Sequence, residues 1–230
     1  KNGKKVSCLL ELKARFDEQA NIYWTNRLEE EGVIVNYGMP DYKVHSKICL
    51  VRRTEKGKDS YYANLATGNY NEKTAKLYCD HSLFTANPLI TSELVNFFDG
   101  LQKQAFYSSY KYLIVSPLES RRKINLLINK EIKISKAGKN ASIILKMNSL
   151  TDTAIIEKLY EASNAGVQIK LIIRGMCCLV PGLAGFSENI EVISIIDRYL
   201  EHARVWVFED GGKQNVYLSS ADMMARNLDH

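Results

Sequence analysis

The stretch "VHSKICLVRRTEKGKDSYYANLAT", residues 44–67, carries the pattern that decides the fold of this chain. Two runs rich in β-branched and aromatic residues flank the polar segment "TEKGKD". That arrangement predicts an antiparallel β-hairpin. If the first strand includes Lys47, then His45 and Lys47 point to the same side, because alternate residues of a strand share a face. The hairpin is therefore predicted to present an imidazole and an ammonium group together.

A second stretch of the same design, "EHARVWVFEDGGKQNVYLSS", occupies residues 201–220. It also predicts two strands, here around the turn "GGKQ". His202 and Arg204 stand at its start as His45 and Lys47 do in the first stretch. A histidine followed two residues later by lysine or arginine thus occurs twice, each time ahead of a hairpin.

The residues around these two motifs also follow one order. Arg15, at the end of a predicted strand, precedes the first histidine by 30 residues, and Arg174 precedes the second by 28. Thr67 follows the first histidine by 22 residues and Ser219 follows the second by 17, each in a small polar loop. Chance rarely repeats four features in order. We therefore predict two related halves that share one site at a pseudo-twofold interface.

Strand and helix patterns alternate along the whole chain, which is typical of an α/β protein. The segments "RLEEEGVIV" and "YEASNAGVQI" contain the same junction of helix, glycine and strand. Glycine suits the position after a helix because the left-handed conformation costs it little. A further helix is predicted from Ser116, with a capping box between Ser116 and Glu119.

Composition and cysteine use bound the setting of the protein. The 230 residues are 46% hydrophobic and carry a formal net charge of +5, which points mildly towards an anionic partner. The five cysteines show no C-x-x-C spacing, and no apolar stretch approaches the ~18 residues of a membrane span. A reduced compartment is the simplest interpretation, and we expect a cytoplasmic protein with at most peripheral membrane association. Both ends of the sequence look cut, as in a piece of a longer protein.

Two histidines, two strand-end arginines and a lysine/arginine pair suit the handling of phosphate. Phosphoryl transfer mainly requires positioning and cations around the transferring oxygens. Arg15 and Arg174 can bind phosphate oxygens bidentately, and Lys47 adds a point charge. A neutral imidazole is a competent nucleophile, while a second, protonated histidine can act as general acid to the leaving group.

Six segments carry a further resemblance: "ELKARFDEQANI", "KVHSKICLV", "ATGNYNEKTAKLY", "IIRGMCCL", "DRYLEHARVWVFE" and "YLSSADMMARN". They extend over the whole chain and resemble the carboxy-terminal half of bacterial polyphosphate kinases, which belong to the phospholipase D-like superfamily. The resemblance implies two phospholipase D-like α/β domains, over residues 1–107 and 108–230. It also implies reversible transfer of the γ-phosphate of ATP to inorganic polyphosphate through a phosphohistidine, with Mg²⁺, and a homo-oligomer for the full-length protein.

The resemblance also implies roles for individual residues. His45 resembles the phosphorylated histidine of the family, and His202 the second essential histidine, which also meets the nucleotide. Arg15 resembles an arginine beside the metal ion, and we expect it to hold the phosphate oxygens around the ion because a guanidinium has no lone pair to offer. Arg174 resembles a residue that contacts nucleotide phosphate. Tyr78 matches a tyrosine that packs on the adenine.

Further residues are assigned to phosphate binding. Lys47 and Arg204 follow the two histidines and supply positive charge. Asn69 and Ser219 lie where the small polar loops of the superfamily meet phosphate. Candidates for a polyphosphate path are Lys146 and Asn148.

Two rival functions remain open. Phosphodiesterases and nucleases of the phospholipase D type carry an aspartate seven residues after each histidine, where this chain has Arg52 and Glu209. Arg52 suits a polyanion and counts against a diester hydrolase. The second rival is a catalytically incomplete fragment that binds polyphosphate. Nucleic acid is not expected as a partner, because the charged turn "TEKGKD" lacks interleaved aromatic residues.

Overall fold

The computed structural model describes residues 2–11, 18–39, 42–105 and 109–229. The chain divides into two units, residues 1–45 with 94–107 and residues 46–93 with 108–230. The strands of the described residues are β1 (Ser7–Leu10), β2 (Ile34–Tyr37), β3 (Lys47–Glu55), β4 (Lys58–Ala66), β5 (Tyr78–Cys79), β6 (Ser82–Thr85), β7 (Ser142–Met147), β8 (Gln168–Ile173), β9 (Ile190–Ile193), β10 (Leu200–Glu201), β11 (Arg204–Phe208) and β12 (Asn215–Ser219).

Among the described residues, three helices each lie between two strands, two helices follow one another without a strand between them, and one follows the last strand. No helix among the described residues is long and apolar enough to cross a membrane. The helices are α1 (Glu18–Glu30), α2 (Glu72–Ala75), α3 (Pro88–Lys103), α4 (Ser120–Lys136), α5 (Thr153–Asn164) and α6 (Ala225–Leu228).

The smaller unit contains a parallel pair of strands, β1 and β2, joined through α1. Gly32 ends this helix with φ +80°, and the Val33 N–H donates to the Leu28 carbonyl at 3.0 Å. The same motif ends α5 in the larger unit, with φ +89° at Gly166. Both predicted helix–glycine–strand junctions are confirmed, since only glycine adopts this conformation at little cost.

The larger unit is built on a five-stranded sheet in the order β12-β11-β7-β8-β9. Strands β7, β8 and β9 are parallel, β11 runs antiparallel to β7, and β12 runs antiparallel to β11. Alternate residues of β7, Ile143, Leu145 and Met147, are at most 1% exposed and belong to the core with residues of α4 and α5. Burial of this apolar face fixes the register of the sheet.

The same unit contains the antiparallel sheet β3-β4-β6. The predicted first hairpin is confirmed, but its loop is shorter than the polar segment suggests, because Glu55 already pairs with Lys58. Lys56 and Gly57 both have positive φ, 51° and 77°. Two such residues match the twist of the flanking strands, which therefore extend to the loop itself.

The predicted capping box is wrong. Helix α4 begins at Ser120, and residues 116–119 form a turn before it. The Glu119 side chain is engaged elsewhere, since it pairs with Arg122 and accepts a 3.4 Å hydrogen bond from the buried Tyr110 N–H. A carboxylate committed to a buried donor does not reach back to cap Ser116.

Candidate active site

Polar residues from several strands meet at one edge of the five-stranded sheet. Asn148 and Arg174 directly follow the parallel neighbours β7 and β8. Arg204 begins β11, which runs opposite to β7, and pairs in register with Ser219 at the end of β12. In open α/β sheets, ligands bind at the carboxyl ends of parallel strands. A ligand-binding site is therefore expected at this edge of the sheet.

Two very short strands bring His202 to a partner from a distant part of the sequence. Strand β10 pairs in parallel with β5, and the Cys79 carbonyl accepts from the N–H groups of His202 and Ala203 at 3.2 and 2.9 Å. This register sets His202 beside Asp80. The imidazole Nδ1 lies 2.8 Å from Asp80 Oδ1 and 3.1 Å from Oδ2.

The opposite ring nitrogen of His202 faces Arg204. Arg204 Nη1 lies 3.2 Å from His202 Nε2 and donates to the His202 carbonyl at 2.8 Å. A guanidinium can only donate and a carboxylate can only accept, so the ring carries its proton on Nδ1 and accepts at Nε2. Burial lowers the pKa of His202, and the charges of Arg204 and Lys47 lower it further, against the opposing effect of Asp80. At neutral pH the imidazole is neutral in this arrangement.

The Asp80 carboxylate also contacts the loop that follows β4. The fully buried Thr67 hydroxyl donates to Asp80 Oδ1 at 2.7 Å and accepts from the His81 N–H at 3.0 Å. The next residue is Gly68, where an added Cβ would lie 2.2 Å from Asp80 Oδ2. The small polar loop after β4 thus serves to seat a carboxylate, and glycine is needed there for its lack of a side chain.

Lys47 and Tyr78 complete the surroundings of His202. Burial lowers the pKa of Lys47 to about 8, with a further lowering by Arg204 and an opposing effect of Asp80. Those interactions place the ammonium group near both residues. The Tyr78 ring lies 5.0 Å from the His202 ring, centroid to centroid, tilted by 47°. A flat aromatic face and several cations therefore surround one imidazole.

The two arginines at the sheet edge are each held by a polar partner. Arg204 is 5% exposed and pairs bidentately with Asp222, through Nε to Oδ1 and Nη2 to Oδ2, both at 3.2 Å. Arg174 is partly exposed and donates from Nε to Asn148 Oδ1 at 2.7 Å. The two Nη groups of a guanidinium carry N–H donors of the kind that can bind phosphate bidentately.

Two other predicted residues belong to local turns. Asn69 is exposed after β4, and its carbonyl accepts from the Asn71 N–H at 2.9 Å. The Ser219 hydroxyl accepts from the Ala221 N–H at 3.0 Å and donates to the Ala221 carbonyl at 3.2 Å. These bonds hold each turn together and say nothing about a ligand. The assignment of both residues to phosphate stays a prediction.

Of the three remaining predicted residues, the structure describes His45 and Lys146. His45 is exposed, belongs to the smaller unit and directly precedes Ser46, the first residue of the larger one. Arg15 lies outside the described residues. Lys146, a candidate for the polyphosphate path, pairs with Glu201 at 3.0 Å and donates to the Ala203 carbonyl at 3.1 Å.

The positions that carry aspartate in phospholipase D-type diesterases contact residues of their own hairpins. Arg52 lies on β3 and its Nε is 3.8 Å from Asp59 Oδ2. Glu209 follows β11 and accepts from Gln214 at 3.4 Å. The carboxylate on the His202 ring comes from Asp80 instead.

Sequence reasoning missed Asp80 and Asp222 and did not assign Thr67 a role at the site. Asp222 stands within the quoted motif "YLSSADMMARN", three residues after Ser219, so its place in that motif was a usable signal. Asp80 lies two residues after Tyr78, but nothing local shows that it meets a histidine 122 residues away. Only the pairing of β5 with β10 reveals it.

Among the residues that the structure describes, no group of three or more His, Cys, Asp or Glu side chains is placed to hold a metal ion. The carboxylates of Asp80 and Asp222 are already committed, Asp80 to His202 and Thr67, and Asp222 to Arg204. These residues do not fit a Mg²⁺ ion held by protein groups alone.

Two family models together match almost the entire chain. "Polyphosphate kinase C-terminal domain 1" matches residues 1–107, and "Polyphosphate kinase C-terminal domain 2" matches residues 113–230. The chain belongs to the polyphosphate kinase family. This membership confirms the resemblance seen in the sequence motifs.

Individual polyphosphate kinases are similar in sequence to almost the whole of this chain. Those of Escherichia coli K12 and Chlorobaculum tepidum are 49% and 50% identical over 229 and 228 residues, 100% and 99% of this chain but 33% of each relative. The crystal structure of the Porphyromonas gingivalis polyphosphate kinase matches with a TM-score of 0.88 and 44% identity, over 98% of this chain and 34% of that one.

The chain thus spans about a third of the length of the polyphosphate kinases it matches, rather than the half suggested by the motifs. The structural match and the mixed sheets and helices confirm the predicted α/β class with phospholipase D-like domains.

Proposed function

We propose that this chain carries the phosphoryl-transfer site of a polyphosphate kinase, which moves the γ-phosphate of ATP reversibly to inorganic polyphosphate. The observation that supports this most is the His202 cluster, in which a neutral imidazole lies between a carboxylate and cations in a chain of this family. Phosphate is the substrate group that such a set of cations suits.

In the first step, an imidazole nitrogen of His45 attacks the γ-phosphorus of ATP. A nitrogen–phosphorus bond forms, and the bond from that phosphorus to the bridging oxygen breaks, so that its electron pair leaves with ADP. His45 precedes Lys47 by two residues, so their Cα atoms are at most about 7 Å apart. Lys47 is therefore available to balance charge on the transferring group.

In the second step, a terminal phosphate oxygen of polyphosphate attacks the phosphohistidine, and the nitrogen–phosphorus bond breaks. The chain grows by one phosphate and His45 is regenerated. Lys47, Arg174 and Arg204 stabilise the transferring charge, with Asn69 and Ser219 as further phosphate contacts.

His202 acts on the leaving oxygen, by donating a proton or by hydrogen bonding. It enters the reaction neutral, because burial and two cations lower its pKa. Negative charge arriving near Nε2 with the phosphates favours the imidazolium form and raises that pKa. The group thus becomes an acid when the substrate is present, while Tyr78 offers a surface for the adenine.

The metal ion in this proposal arrives with the nucleotide. Magnesium at phosphate-transfer sites takes much of its coordination from substrate phosphates and water. Arg15 is proposed to hold phosphate oxygens close to the ion, not the ion itself. No step of the transfer depends on a metal ligand from the described residues.

The wider setting is part of the proposal. Residues 1–107 and 108–230 are the two phospholipase D-like domains, and the full-length protein is a cytoplasmic homo-oligomer, at most peripheral to the membrane. ATP, ADP and polyphosphate are its partners, and nucleic acid is not.

The test compares three functions in one set of samples. The chain is incubated with ATP, Mg²⁺ and a polyphosphate primer, and separately with bis(p-nitrophenyl) phosphate without nucleotide. The Porphyromonas gingivalis enzyme runs in parallel, because it is about three times as long. Release of ADP with lengthening of the primer supports the kinase. Cleavage of the diester alone supports a phospholipase D-type hydrolase and overturns the kinase proposal.

A third outcome distinguishes binding from catalysis. If the chain binds polyphosphate with steep salt dependence but transfers nothing, while the longer enzyme is active, the chain is a polyphosphate-binding module. That result would contradict independent catalysis by these 230 residues.

A further inference from the structure

The Asp222 carboxylate lies in a loop whose backbone is fixed on both sides. The N–H groups of Thr151 and Asp152 donate to the Met223 carbonyl at 3.0 and 3.1 Å, and the Met223 N–H donates to the Ser149 carbonyl at 3.3 Å. The loop after β12 is thereby tied to the loop after β7. Asp222 itself is only 8% exposed.

This carboxylate accepts hydrogen bonds from the first residue of β11 and from the loop after β7. Besides the two bonds from Arg204, Oδ1 accepts from the Asn148 N–H at 2.8 Å and from the Ser149 N–H at 3.4 Å. Both members of the Asp222–Arg204 pair are nearly buried. A buried pair of this kind contributes little net stability but fixes geometry strongly, because removal of one partner leaves the other charge uncompensated.

The pairing decides which end of Arg204 faces the histidine. Asp222 occupies Nε and Nη2, so Nη1 is the end that points to His202, where it meets the carbonyl and Nε2. A planar guanidinium held at one edge has little freedom at the other. Asp222 therefore sets the cation that faces the reactive side of the imidazole.

The same carboxylate reaches Arg174 through Asn148. The Asn148 backbone N–H donates to Asp222, and its side-chain Nδ2 lies 3.5 Å from Asp222 Oδ2. This orientation directs Oδ1 towards Arg174, whose Nε donates to it at 2.7 Å. At the neighbouring Gly175, a Cβ would lie 2.7 Å from the Asn148 carbonyl oxygen, so the two strand ends approach as closely as glycine allows.

We propose that Asp222 is a positioning residue that sets Arg204 directly and Arg174 through Asn148, so that one buried carboxylate aligns both phosphate-facing arginines. The proposal rests on the proposed function only for the identity of the ligand, phosphate. Arginines that are already aligned lose less side-chain freedom when the anion binds, which strengthens binding without a new contact.

The experiment follows the arginine side chains by NMR in the 230-residue chain. Exchange of the Nε–H protons is measured for Arg204 and Arg174 in the wild type and in Asp222→Asn, Asp222→Glu and Asn148→Ala. Asp229→Asn is the matched control, because Asp229 also pairs bidentately with an arginine, Arg121, whose other carboxylate partner is Asp152 and not Asp222. Circular dichroism verifies that each variant is folded.

In Asp222→Asn, we expect the Nε–H protons of both Arg204 and Arg174 to exchange at least about tenfold faster than in the wild type. The effect on Arg174 is indirect, because Asn148 lies between Asp222 and Arg174. Asp222→Glu should restore part of the protection. Asn148→Ala should expose Arg174 alone, and this variant keeps the proposal testable if Asp222→Asn does not fold. Faster exchange at Arg204 with Arg174 unchanged in a folded Asp222→Asn chain, or unchanged Arg174 in Asn148→Ala, would overturn the relay.

A binding measurement connects the alignment to phosphate. Pyrophosphate titrated into the same variants should bind about tenfold more weakly to Asp222→Asn than to the wild type or Asp229→Asn. Equal affinity in all three would overturn the positioning role. The exchange measurement does not require phosphoryl transfer, so it distinguishes failure of this inference from failure of the kinase proposal.

Discussion

At the scale of single residues, the state of the His202 ring follows from what lies against each nitrogen. Nδ1 lies against a carboxylate and Nε2 against a guanidinium, so these contacts favour the neutral imidazole that carries its proton on Nδ1. A histidine in water would titrate near pH 6.5, whereas burial and two cations lower the pKa here. At neutral pH, we therefore expect the His202 imidazole to gain a proton when an anion binds beside it.

The first prediction concerns Asp80. Asp80→Asn removes the charge that raises the pKa of His202, so the pKa falls further below its ordinary value and the ring orientation loosens. We expect kcat for ATP formation from ADP and polyphosphate to fall about 10- to 100-fold, as for other carboxylates that orient an imidazole. The measurements are kcat in a polyphosphate kinase of full family length that carries the change, and ¹⁵N titration of His202 in this chain.

The control for this change is Asp59→Asn, which removes an exposed carboxylate that bonds to Thr54 on the first hairpin. It should leave both quantities unchanged. An Asp80→Asn variant with wild-type kcat and an unshifted His202 titration would contradict the orienting role.

The second prediction concerns pH and Lys47. Its pKa of about 8 means that the ammonium group loses its proton as pH rises from 7 to 9. Only the charged form attracts phosphate, so pyrophosphate affinity should fall by about tenfold over that range. Lys47→Arg keeps its charge and should flatten the profile, whereas Lys58→Arg on the hairpin should not. A wild-type affinity that is constant between pH 7 and 9 would contradict the assignment.

Folding stability should respond to Lys47 in the opposite sense. The folded pKa lies below the ordinary lysine value of 10.5, so the unfolded chain binds more protons between about pH 8 and 10.5. The contribution of Lys47 to the free energy of unfolding therefore rises with pH in that window, while anion affinity falls. Opposite trends in the two measurements separate a binding effect from a loss of structure.

At the scale of elements, the site depends on two hairpins and on one pair of two-residue strands. Lys47 begins β3 opposite the last residue of β4, and Arg204 begins β11 opposite the last residue of β12. The two motifs therefore occupy equivalent places on their hairpins, as the sequence predicts. The pairing of β5 with β10 has no counterpart in the sequence repeat, and it brings Asp80 to His202.

The third prediction tests the turn of the first hairpin. Gly57 has φ +77°, so Gly57→Ala forces a side chain into the left-handed region and should lower the free energy of unfolding by about 1–2 kcal/mol. Gly57→Asn is the matched control and should lose less, because asparagine tolerates this conformation. Phosphate binding should stay unchanged in both. Equal stability of Gly57→Ala and the wild type, measured by urea denaturation, would contradict the turn geometry.

At the scale of the whole molecule, the sequence predicted the features that depend on hydrophobic periodicity or on the position of a glycine. The hairpins, the helix–glycine–strand junctions and the α/β class follow from local patterns, and the repeated histidine motif led to His202 and Arg204. The start of α4 was wrong because the Glu119 side chain serves a buried N–H that the local sequence does not reveal.

The partners of the site residues could not be predicted for a related reason. Asp80 is 122 residues from His202, and Asp222 is 18 residues from Arg204 across a hairpin and a loop. Such contacts depend on strand order and register, which a local pattern does not determine. The sequence therefore predicts His202 and Arg204, and the structure adds the carboxylates of Asp80 and Asp222 that contact them.

The decisive experiment for the phosphohistidine is labelling with γ-³²P-ATP and Mg²⁺. The chain and a polyphosphate kinase of full family length are each labelled as wild type and with His45→Ala, His202→Ala and His81→Ala at the aligned positions, where His81 is an exposed histidine to which we assign no role. We predict protein-bound label on the full-length wild type that is acid-labile and base-stable, persists in His81→Ala and disappears in His45→Ala. Label of equal amount and stability in His45→Ala would contradict a phosphohistidine at this position.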